Sequence, residues 1–393
     1  MRPCGGLAGV ASGPGGAVAQ PGEIRVVTSE LLVGSRQFWE RASGDIAAAR
    51  RRVLIQAMTF EGDSAGLGVA QAIEQAAASD RRVLVDDYSR NVINDTILAL
   101  PGRSAALRAE AQATLDMFAG LVRGGVGVRI TNPVLGHPLR YPLRNHKKLL
   151  VMDDVVHIGG INFSDHNFLW HDLMLRIEDP AIADWLSADF QRDWDGQPAG
   201  ASATFGAIEL ITLDGTTNEA RMAPLLALVS GARRSVEMIS AYPTMPFVAA
   251  MAEAARGGAK VDVYTPAPNN KPIVRDYLTG VAQGAGIALR LLPAMTHAKA
   301  ILIDGDTLVL GSSNFNFASY RTSNDIVAVC RDPALIAEFE TRLLGPMRTH
   351  AVAAERSATP RWRQLRGKLA LEFADAALAR LNHGAVRVIE WPT

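Results

Sequence analysis

The chain has 393 residues, of which 48% are hydrophobic, so it can bury a large core and is long enough for two domain-sized halves. Basic and acidic residues number 40 each, so the total charge does not favour binding to a polyanion such as DNA. Cys4 and Cys330 are its two cysteines, one near the chain start and one ending an apolar run, so no disulfide is expected.

The first segment is poor in the features of a targeting sequence. Residues 1–22 are rich in glycine, alanine and proline and lack a continuous apolar core, which predicts a disordered leader rather than a secretory signal. Nowhere does the sequence reach the roughly 18 apolar residues that a membrane-spanning helix needs. We therefore expect a cytoplasmic protein, peripheral at a membrane if its substrate is a lipid.

The next segments repeat one supersecondary unit. Within residues 23–200, ARRRVLIQAMTF (49–60) leads from a helix end into a strand, and an alanine-rich helix and a second strand follow. ARRSVEMISAYP (232–243) opens the same order within residues 207–350. A βαβ unit used twice predicts two halves, each with a mixed sheet flanked by helices. The Gly/Pro/Ala-rich segment 196–206 between them is predicted to be a linker.

The first half is longer than the second. The offset between the halves is 183 residues at the first strand but 151 at the histidine motifs below, which leaves about 32 extra residues in the first half. We assign them to residues 91–120, where RSAALRAEAQATLDMFAGLV has helical character. This insertion either packs on the surface or lines the substrate entrance.

Each half contains one copy of a short polar motif. A lysine follows a histidine by two residues, an aspartate follows it by seven, and an asparagine ends a glycine-led turn. The members are His146, Lys148, Asp153 and Asn162 in the first copy, and His297, Lys299, Asp304 and Asn314 in the second. The Val/Ile/Leu-rich sequence around an acidic turn predicts a β-hairpin that folds the asparagine back beside the histidine and lysine.

A cluster of imidazole, fixed positive charge and amide suits a phosphate group better than a metal ion, because the lysine would repel a cation. No metal or other cofactor is expected, since the sequence lacks HExxH, clustered Cys/His and Asp-rich calcium loops. Two clusters facing one phosphodiester would let one histidine attack phosphorus while the other protonates the leaving oxygen. Asp153 and Asp304 have the opposite face parity and are predicted to support the turns.

The paired motifs resemble those of the phospholipase D superfamily, and the flanking sequence is most similar to its bacterial cardiolipin synthase and phosphatidyltransferase branch. The similar stretches are NHKKLLVMD, GGINFSDHN, Trp170-His171-Asp172, DFQRDWDG and GSSNFNFASYRTSND, within about residues 25–350. The resemblance implies an α/β fold of two pseudo-symmetric halves, each a mixed β-sheet flanked by helices, with one shared active site at their interface.

By this resemblance, His146 or His297 forms a covalent phosphohistidine, with family precedent favouring His146, and the other acts as general acid and then general base. The lysines and asparagines of both motifs would hold the non-bridging oxygens. Family members orient each histidine with a carboxylate downstream of a motif, and Asp172 and Asp325 match. The synthase branch commonly carries an arginine shortly after the second motif; it is missing here, and Arg321 is its nearest replacement.

Residues 351–393 follow the second half. Within residues 359–382, apolar side chains recur at largely helical spacing among basic neighbours, which predicts a basic amphipathic helix. The apolar positions are Trp362, Leu365, Leu369, Phe373, Ala376 and Leu381. This helix would contact a membrane or dock against the catalytic body.

The leading interpretation is a monomeric phospholipid phosphatidyltransferase or phospholipase D that passes a phosphatidyl group to an alcohol, as a cardiolipin synthase does, or to water. A nuclease or other nucleic-acid phosphodiesterase could use the same two histidines, but the neutral total charge disfavours nucleic acid as a partner. A non-catalytic phospholipid-binding protein is a third interpretation. It is disfavoured because all six cluster residues are present.

Overall fold

The computed structural model describes residues 27–134, 141–355, 359–380 and 388–391. The predicted leader, residues 1–22, and Leu381 lie outside these ranges. The strands, in chain order, are β1 (Thr28–Val33), β2 (Arg52–Ala57), β3 (Asp80–Asp86), β4 (Val92–Ile93), β5 (Thr96–Ile97), β6 (Gly127–Thr131), β7 (Leu149–Met152), β8 (Val155–Gly159), β9 (Leu173–Glu178), β10 (Ala201–Phe205), β11 (Ile208–Thr212), β12 (Ser235–Ile239), β13 (Lys260–Pro266), β14 (Ile287–Leu292), β15 (Ala300–Ile303), β16 (Thr307–Gly311), β17 (Ile326–Cys330), β18 (Val352–Ala353) and β19 (Val388–Glu390).

The α-helices, in the same order, are α1 (Ser35–Ala48), α2 (Ser64–Gln75), α3 (Tyr88–Asn91), α4 (Ala105–Arg123), α5 (Asp165–Phe168), α6 (Pro180–Trp194), α7 (Asn218–Ser230), α8 (Phe247–Arg256), α9 (Pro272–Val281), α10 (Phe317–Arg321), α11 (Pro333–Phe339), α12 (Gly345–His350) and α13 (Arg361–Leu378). A short 3-10 helix (Gln283–Ala285) and a π-helical turn (Glu340–Leu344) also occur. Among the described helices, none combines the length and apolarity needed to cross a membrane.

Two large mixed sheets form the two halves. Their strand orders are β1-β9-β8-β7-β2-β3-β6-β19 and β10-β11-β17-β16-β15-β12-β13-β14-β18. In the first sheet β2, β3 and β6 run parallel, and the hairpin β7-β8 joins β2 antiparallel. In the second sheet β12, β13 and β14 run parallel, and the hairpin β15-β16 joins β12 antiparallel. The prediction of an α/β fold with one mixed sheet in each half is confirmed.

The inner faces of both sheets share one apolar cluster. In β7, Leu149 and Val151 belong to this central cluster, whereas Leu150 and Met152 belong to an outer cluster of the first half. Alternate residues of a strand point to opposite faces, so a strand buried on both sides is apolar throughout. The second half contributes its own inner residues to the central cluster, among them Leu310. The halves are therefore fused by a common core.

Part of the predicted linker is a strand. Residues 201–205 form β10, which pairs antiparallel with β11 at the edge of the second sheet. Gly206 has a φ of 57°, which suits the tight turn between these strands. The linker prediction is wrong for these residues because ASATF, despite its small side chains, can form an edge hairpin with the apolar strand that follows.

The segment after residue 350 belongs to both halves. Its predicted helix is observed as α13, and β18 extends the second sheet. Strand β19 pairs with β6 of the first sheet, and the ring of Trp391 lies 4.6 Å from that of Phe118. These contacts tie the end of the chain back to the first half.

Candidate active site

The two motif hairpins bring their histidines to the seam between the halves. Short parallel bridges, Asn145 with Asn324 and Thr296 with His171, join the halves immediately before each histidine. The N–H of His146 donates to the carbonyl of Asn324 at 2.8 Å, and the N–H of His297 donates to that of His171 at 2.7 Å. Each histidine is thus positioned by a backbone segment of the opposite half.

The histidine–carboxylate pairs also cross between the halves. Nδ1 of His146 lies 2.9 Å from Asp325, and Nδ1 of His297 lies 2.7 Å from Asp172. Burial opposes ionisation of both carboxylates, but the nearby lysine and histidine charges and their hydrogen bonds hold the pKa of each below its usual range. An ionised partner on Nδ1 fixes the tautomer and leaves the Nε2 lone pair of each ring free.

Burial makes both histidines weak bases. Burial, together with the charges of Lys148 and Lys299, lowers the pKa of His146 to about 4 and that of His297 to about 3. Because each lysine acts on both rings, the two motif clusters form one site. Both rings are neutral near pH 7, and a negatively charged phosphate placed between them would favour the protonated form.

The motif lysines and asparagines complete the cluster. The ammonium groups of Lys148 and Lys299 each donate to the carbonyl oxygen of the histidine in their own motif. Burial lowers the pKa of both lysines to about 7. The side-chain oxygens of Asn162 and Asn314 are buried and have no hydrogen-bond partner among the described residues. Rotating either amide would present an N–H donor at the same point.

The motif aspartates lie away from the histidines. Asp153 and Asp304 occupy the turns of the two hairpins with φ of 50° and 52°, a left-handed conformation that aspartate tolerates better than most residues. Each carboxylate accepts hydrogen bonds from three successive backbone N–H groups. The donors are Arg50, Arg51 and Arg52 in the first half, and Arg233, Arg234 and Ser235 in the second. Both carboxylates thus fasten the hairpin turn to the start of the first parallel strand.

A buried ion cluster holds the segment that leads into β7, on the side opposite to the site. Lys147 points away from the site, and its ammonium lies 2.6 Å from Asp189 and 2.9 Å from Asp193. Both aspartates come from α6 and from the family-like stretch DFQRDWDG. The sequence analysis missed this contact, although the opposite strand parity of Lys147 was a usable signal. Ala298 occupies the matching position in the second motif.

Three side chains near His297 were also missed. The rings of Trp170 and Tyr242 have centroids 5.4 Å and 6.0 Å from that of His297. The ammonium of Lys271 lies 4.5 Å from the centre of the Tyr242 ring, and desolvation in the cleft lowers its pKa. They come from three separate loops, so no sequence spacing links them.

The insertion of the first half packs on the core and also reaches the second half. Its helix α4 packs Met117 and Phe118 into the core. Its hairpin β4-β5 turns at Asn94 and Asp95 and reaches the second half, where Asn270 donates to Asp95 at 2.9 Å. The side-chain oxygen of Asn270 accepts from the Tyr242 hydroxyl at 2.6 Å. The insertion therefore borders the His297 side of the cleft.

Arg321 does not replace the missing arginine. Its guanidinium binds Asp375 of α13 and, at 2.5 Å, Glu219 of α7. Two carboxylates satisfy this side chain, so it fastens α13 to the body instead of serving the acceptor. The suggestion drawn from the sequence is wrong at this residue.

A group of three carboxylates lies near the insertion. Oxygens of Glu61, Asp63 and Glu110 lie within 4.8 Å of one another. Burial raises the pKa of Glu61 to about 8, so this side chain is protonated at neutral pH. A neutral Glu61 lets the group exist without a bound cation.

The chain matches the family model described as cardiolipin synthase, phospholipase D-like domain, over residues 44–194 and 225–344. The two matched segments together make up more than half of the chain. The chain belongs to this family. The resemblance noted in the sequence and the prediction of a phospholipase D-type enzyme are therefore confirmed.

Individual relatives agree with this assignment. The cardiolipin synthase of Listeria welshimeri is 23% identical over 344 residues, covering 80% of this chain and 68% of that protein. Cardiolipin synthase A of Pseudomonas putida is 26% identical over 343 residues, covering 80% and 67%. The crystal structure of phosphatidylserine synthase from Haemophilus influenzae superposes with a TM-score of 0.70 at 15% identity, covering 88% of this chain and 94% of that one. That likeness shows the common fold.

Proposed function

We propose that this chain is a phospholipid phosphatidyltransferase that works as a monomer bound peripherally to a membrane. It transfers a phosphatidyl group through a phosphohistidine to an alcohol or to water. The observation that carries this proposal is the crossed site, in which two buried histidines, each held by an aspartate of the other half, converge with two lysines. The cardiolipin synthase relatives support a phosphatidyl group as the unit transferred.

In the first step, Nε2 of His146 attacks phosphorus and a P–N bond forms as the bond to the leaving alcohol breaks. His297, protonated at Nε2 once the anionic phosphodiester is bound, gives that proton to the leaving oxygen. Asp325 and Asp172 stabilise the positive charge that each ring carries during the reaction. The two motif lysines and asparagines hold the non-bridging oxygens, whose charge grows as phosphorus becomes five-coordinate.

In the second step, the acceptor hydroxyl passes its proton to Nε2 of His297 and attacks phosphorus. The P–N bond breaks, which returns His146 to its neutral form. An alcohol yields a new phosphatidyl ester, and water yields phosphatidic acid. Both half-reactions balance with the donor lipid and the acceptor alone, so we propose a mechanism that needs no metal.

We propose further that the halves divide near residue 200 and that Asp153 and Asp304 support the fold. Each half supplies one histidine, one lysine and one asparagine to the shared site.

The ammonium of Lys271 lies against the ring of Tyr242, which in turn lies beside the ring of His297. Lys271 is therefore placed to bind an anionic part of the acceptor.

A largely apolar cavity next to Asp172 is compatible with a lipid substrate. It has a volume of about 550 Å³ and lies between the halves, bordering His171 and Asp172. Leu292, Leu343 and Met347 line its wall. These apolar side chains suit the hydrocarbon part of a phospholipid, and Arg342 and His350 also line the cavity.

Product analysis tests the proposal directly. Purified protein is incubated with phosphatidylglycerol in the presence of water and radiolabelled glycerol, whose label reports transfer to glycerol, with and without EDTA, and the lipid products are separated by chromatography. We expect phosphatidyl esters, phosphatidic acid or both, at equal rates with EDTA. Failure to turn over any phospholipid would refute the lipid function, and cleavage of single-stranded DNA in a parallel reaction would favour a nuclease. Loss of turnover with EDTA would contradict the metal-free mechanism.

A further inference from the structure

Helix α13 presents large apolar side chains to solvent. Trp362, Leu365, Leu369 and Phe373 are between 57% and 77% exposed. At about 100° per residue, these four positions fall within an arc of about 80° around the helix axis. We call this contiguous patch the α13 stripe. Soluble proteins rarely leave a patch of this kind uncovered unless it is an interaction site.

The opposite face of α13 is fixed to the second half. A Cβ atom at Gly367 would come within 3.0 Å of the backbone of Ile273 and Tyr277, so only glycine allows this close approach to α9. The guanidinium of Arg363 lies 3.0 Å from the buried carboxylate of Asp276. Because one face of α13 packs tightly on α9, the stripe on the opposite face is exposed in the folded protein.

Cations flank the stripe on both sides. On one side, the guanidinium of Arg366 lies 5.3 Å from the centre of the Trp362 ring. On the other side, Arg361 and Lys368 are exposed, and Glu372 is the one exposed carboxylate of the helix. Arg366 and Lys368 each lie 3.9 Å from a carboxylate, that of Asp276 and that of Glu372. Exposed cations still outnumber exposed carboxylates three to one on α13, which makes this face complementary to an anionic surface.

The stripe lies close to the elements that build the site. Helix α9, on which α13 packs, begins directly after Lys271, and α10, joined to α13 by an ion pair, begins three residues after Asn314. At the cleft itself, Leu169 is 84% exposed and directly precedes Trp170, whose ring contacts His297. Apolar side chains are therefore exposed both on α13 and at the cleft.

We propose that the α13 stripe docks the enzyme on a bilayer that contains anionic phospholipid. Its four apolar side chains enter the interfacial layer, and the flanking cations meet the headgroup phosphates. The identity of the lipid substrate rests on the proposed function, whereas docking is measured without turnover. The two can therefore fail separately.

Vesicle sedimentation tests the docking. The full chain is mixed with vesicles of phosphatidylcholine alone or with an equal share of phosphatidylglycerol, and the bound fraction is measured at low and high salt. We expect binding to the mixed vesicles that weakens with salt, and a loss of at least about tenfold in affinity when the four stripe residues are replaced by serine. The matched control replaces Leu67 and Leu228, which are exposed on other helices, by serine and should bind as the wild type does.

Two further measurements test whether the active site is intact in the stripe variant and whether Trp362 enters the lipid. Hydrolysis of the soluble phosphodiester bis(4-nitrophenyl) phosphate should be equal in the stripe variant and the wild type, which separates docking from damage to the site. In the wild type, brominated lipids should quench a fluorescence component that the Trp362→Phe variant lacks. Equal vesicle binding by the wild type and the stripe variant would overturn the proposal. So would a wild-type dimer that becomes monomeric in the stripe variant without any change in vesicle binding.

Discussion

The two halves keep the same atoms around the phosphate site and differ in what surrounds them. Each supplies a histidine, a lysine bonded to its own motif's carbonyl, and a carboxylate for the opposite ring. The supports of these carboxylates differ. The Ser312 hydroxyl donates to Asp325 at 2.7 Å, whereas the matching residue is Gly160, where a Cβ would lie 2.2 Å from a carboxylate oxygen of Asp172. Asp325 is thus held by a hydrogen bond from a hydroxyl, and Asp172 by close packing against the backbone of Gly160.

The outer surroundings differ more. A buried ion cluster fixes the strand after His146, while two aromatic rings and a third lysine surround His297. The insertion of the first half reaches the same side of the cleft as His297. If the proposed reaction is correct, this contrast teaches that the groups facing phosphorus are the same in both halves because the chemistry needs them, whereas their surroundings differ.

The largest effect should come from removing either histidine. His146→Ala and His297→Ala should each reduce turnover of a phospholipid on the order of 10⁴-fold, because each has a role that water performs poorly. A substrate with a 4-nitrophenol leaving group separates the roles, since this group needs no acid. His297→Ala should still form a phosphohistidine, which rapid denaturation at alkaline pH preserves and peptide mapping should locate at His146. Trapping at His297 in the His146→Ala variant would reverse the assignment.

Removing the crossed carboxylates should cost on the order of 10²- to 10⁴-fold in kcat, because the histidine loses its tautomer control. Asp325→Asn should slow formation of the phosphohistidine, the step assigned to His146, although Asp325 lies in the other half. Asp172→Asn should instead slow the steps that need His297. Rapid-quench kinetics distinguishes the two. If each substitution impaired the histidine of its own half, the crossed arrangement would be wrong.

Lys147→Met should lower the free energy of unfolding by about 3–5 kcal/mol, because it leaves Asp193 buried without its cation and Asp189 with Arg192 alone. Denaturant titration measures the loss. The control Lys260→Met removes a lysine that is 74% exposed and should change stability by less than about 1 kcal/mol. Equal effects would show that the first motif strand needs no special anchor.

Anion binding should weaken as the pH rises from 6 to 8. The pKa values of Lys148 and Lys299 are lowered to about 7, so both lysines are charged below that pH and lose charge above it. Sulfate keeps its charge over this range, and calorimetry should show its affinity falling by about tenfold for each lysine. In the Lys148→Met and Lys299→Met variants, the logarithm of the sulfate affinity should change between pH 6 and pH 8 by about half as much as in the wild type. A flat profile in the wild type would refute these low pKa values.

The smallest effect should be a change of acceptor preference. Lys271→Met should reduce transfer to phosphatidylglycerol, which unlike glycerol brings a phosphate of its own, by roughly tenfold. Transfer to glycerol should change by less than about twofold, and Lys271→Arg should restore the preference. Competition between the two acceptors measures the ratio. An equal loss with both acceptors would place Lys271 in the common chemistry.

The sequence predicted much of this arrangement, because the chemistry required it. A repeated His/Lys/Asn pattern on an apolar hairpin indicated two clusters of one site, and the resemblance to the phospholipase D superfamily indicated Asp172 and Asp325 as partners of the histidines. The crossing itself could not be predicted, since either aspartate could reach either ring until the halves were packed. Lys271 and Tyr242 were missed for the same reason, because they approach His297 from separate loops. Strand β10 was mistaken for a linker because glycine and alanine carry little apolar signal.

The crossed pairing has a consequence for how such a chain could arise. A single half holds a histidine and an aspartate that cannot meet, so on its own it would react only as two identical copies exchanging carboxylates. Joining two copies in one polypeptide freed them from being identical. Gly160 and Ser312 could then become different residues, and one copy could gain an insertion beside the other's histidine. Within one polypeptide, the nucleophile proposed at His146 and the proton-transfer group proposed at His297 can each have their own surroundings.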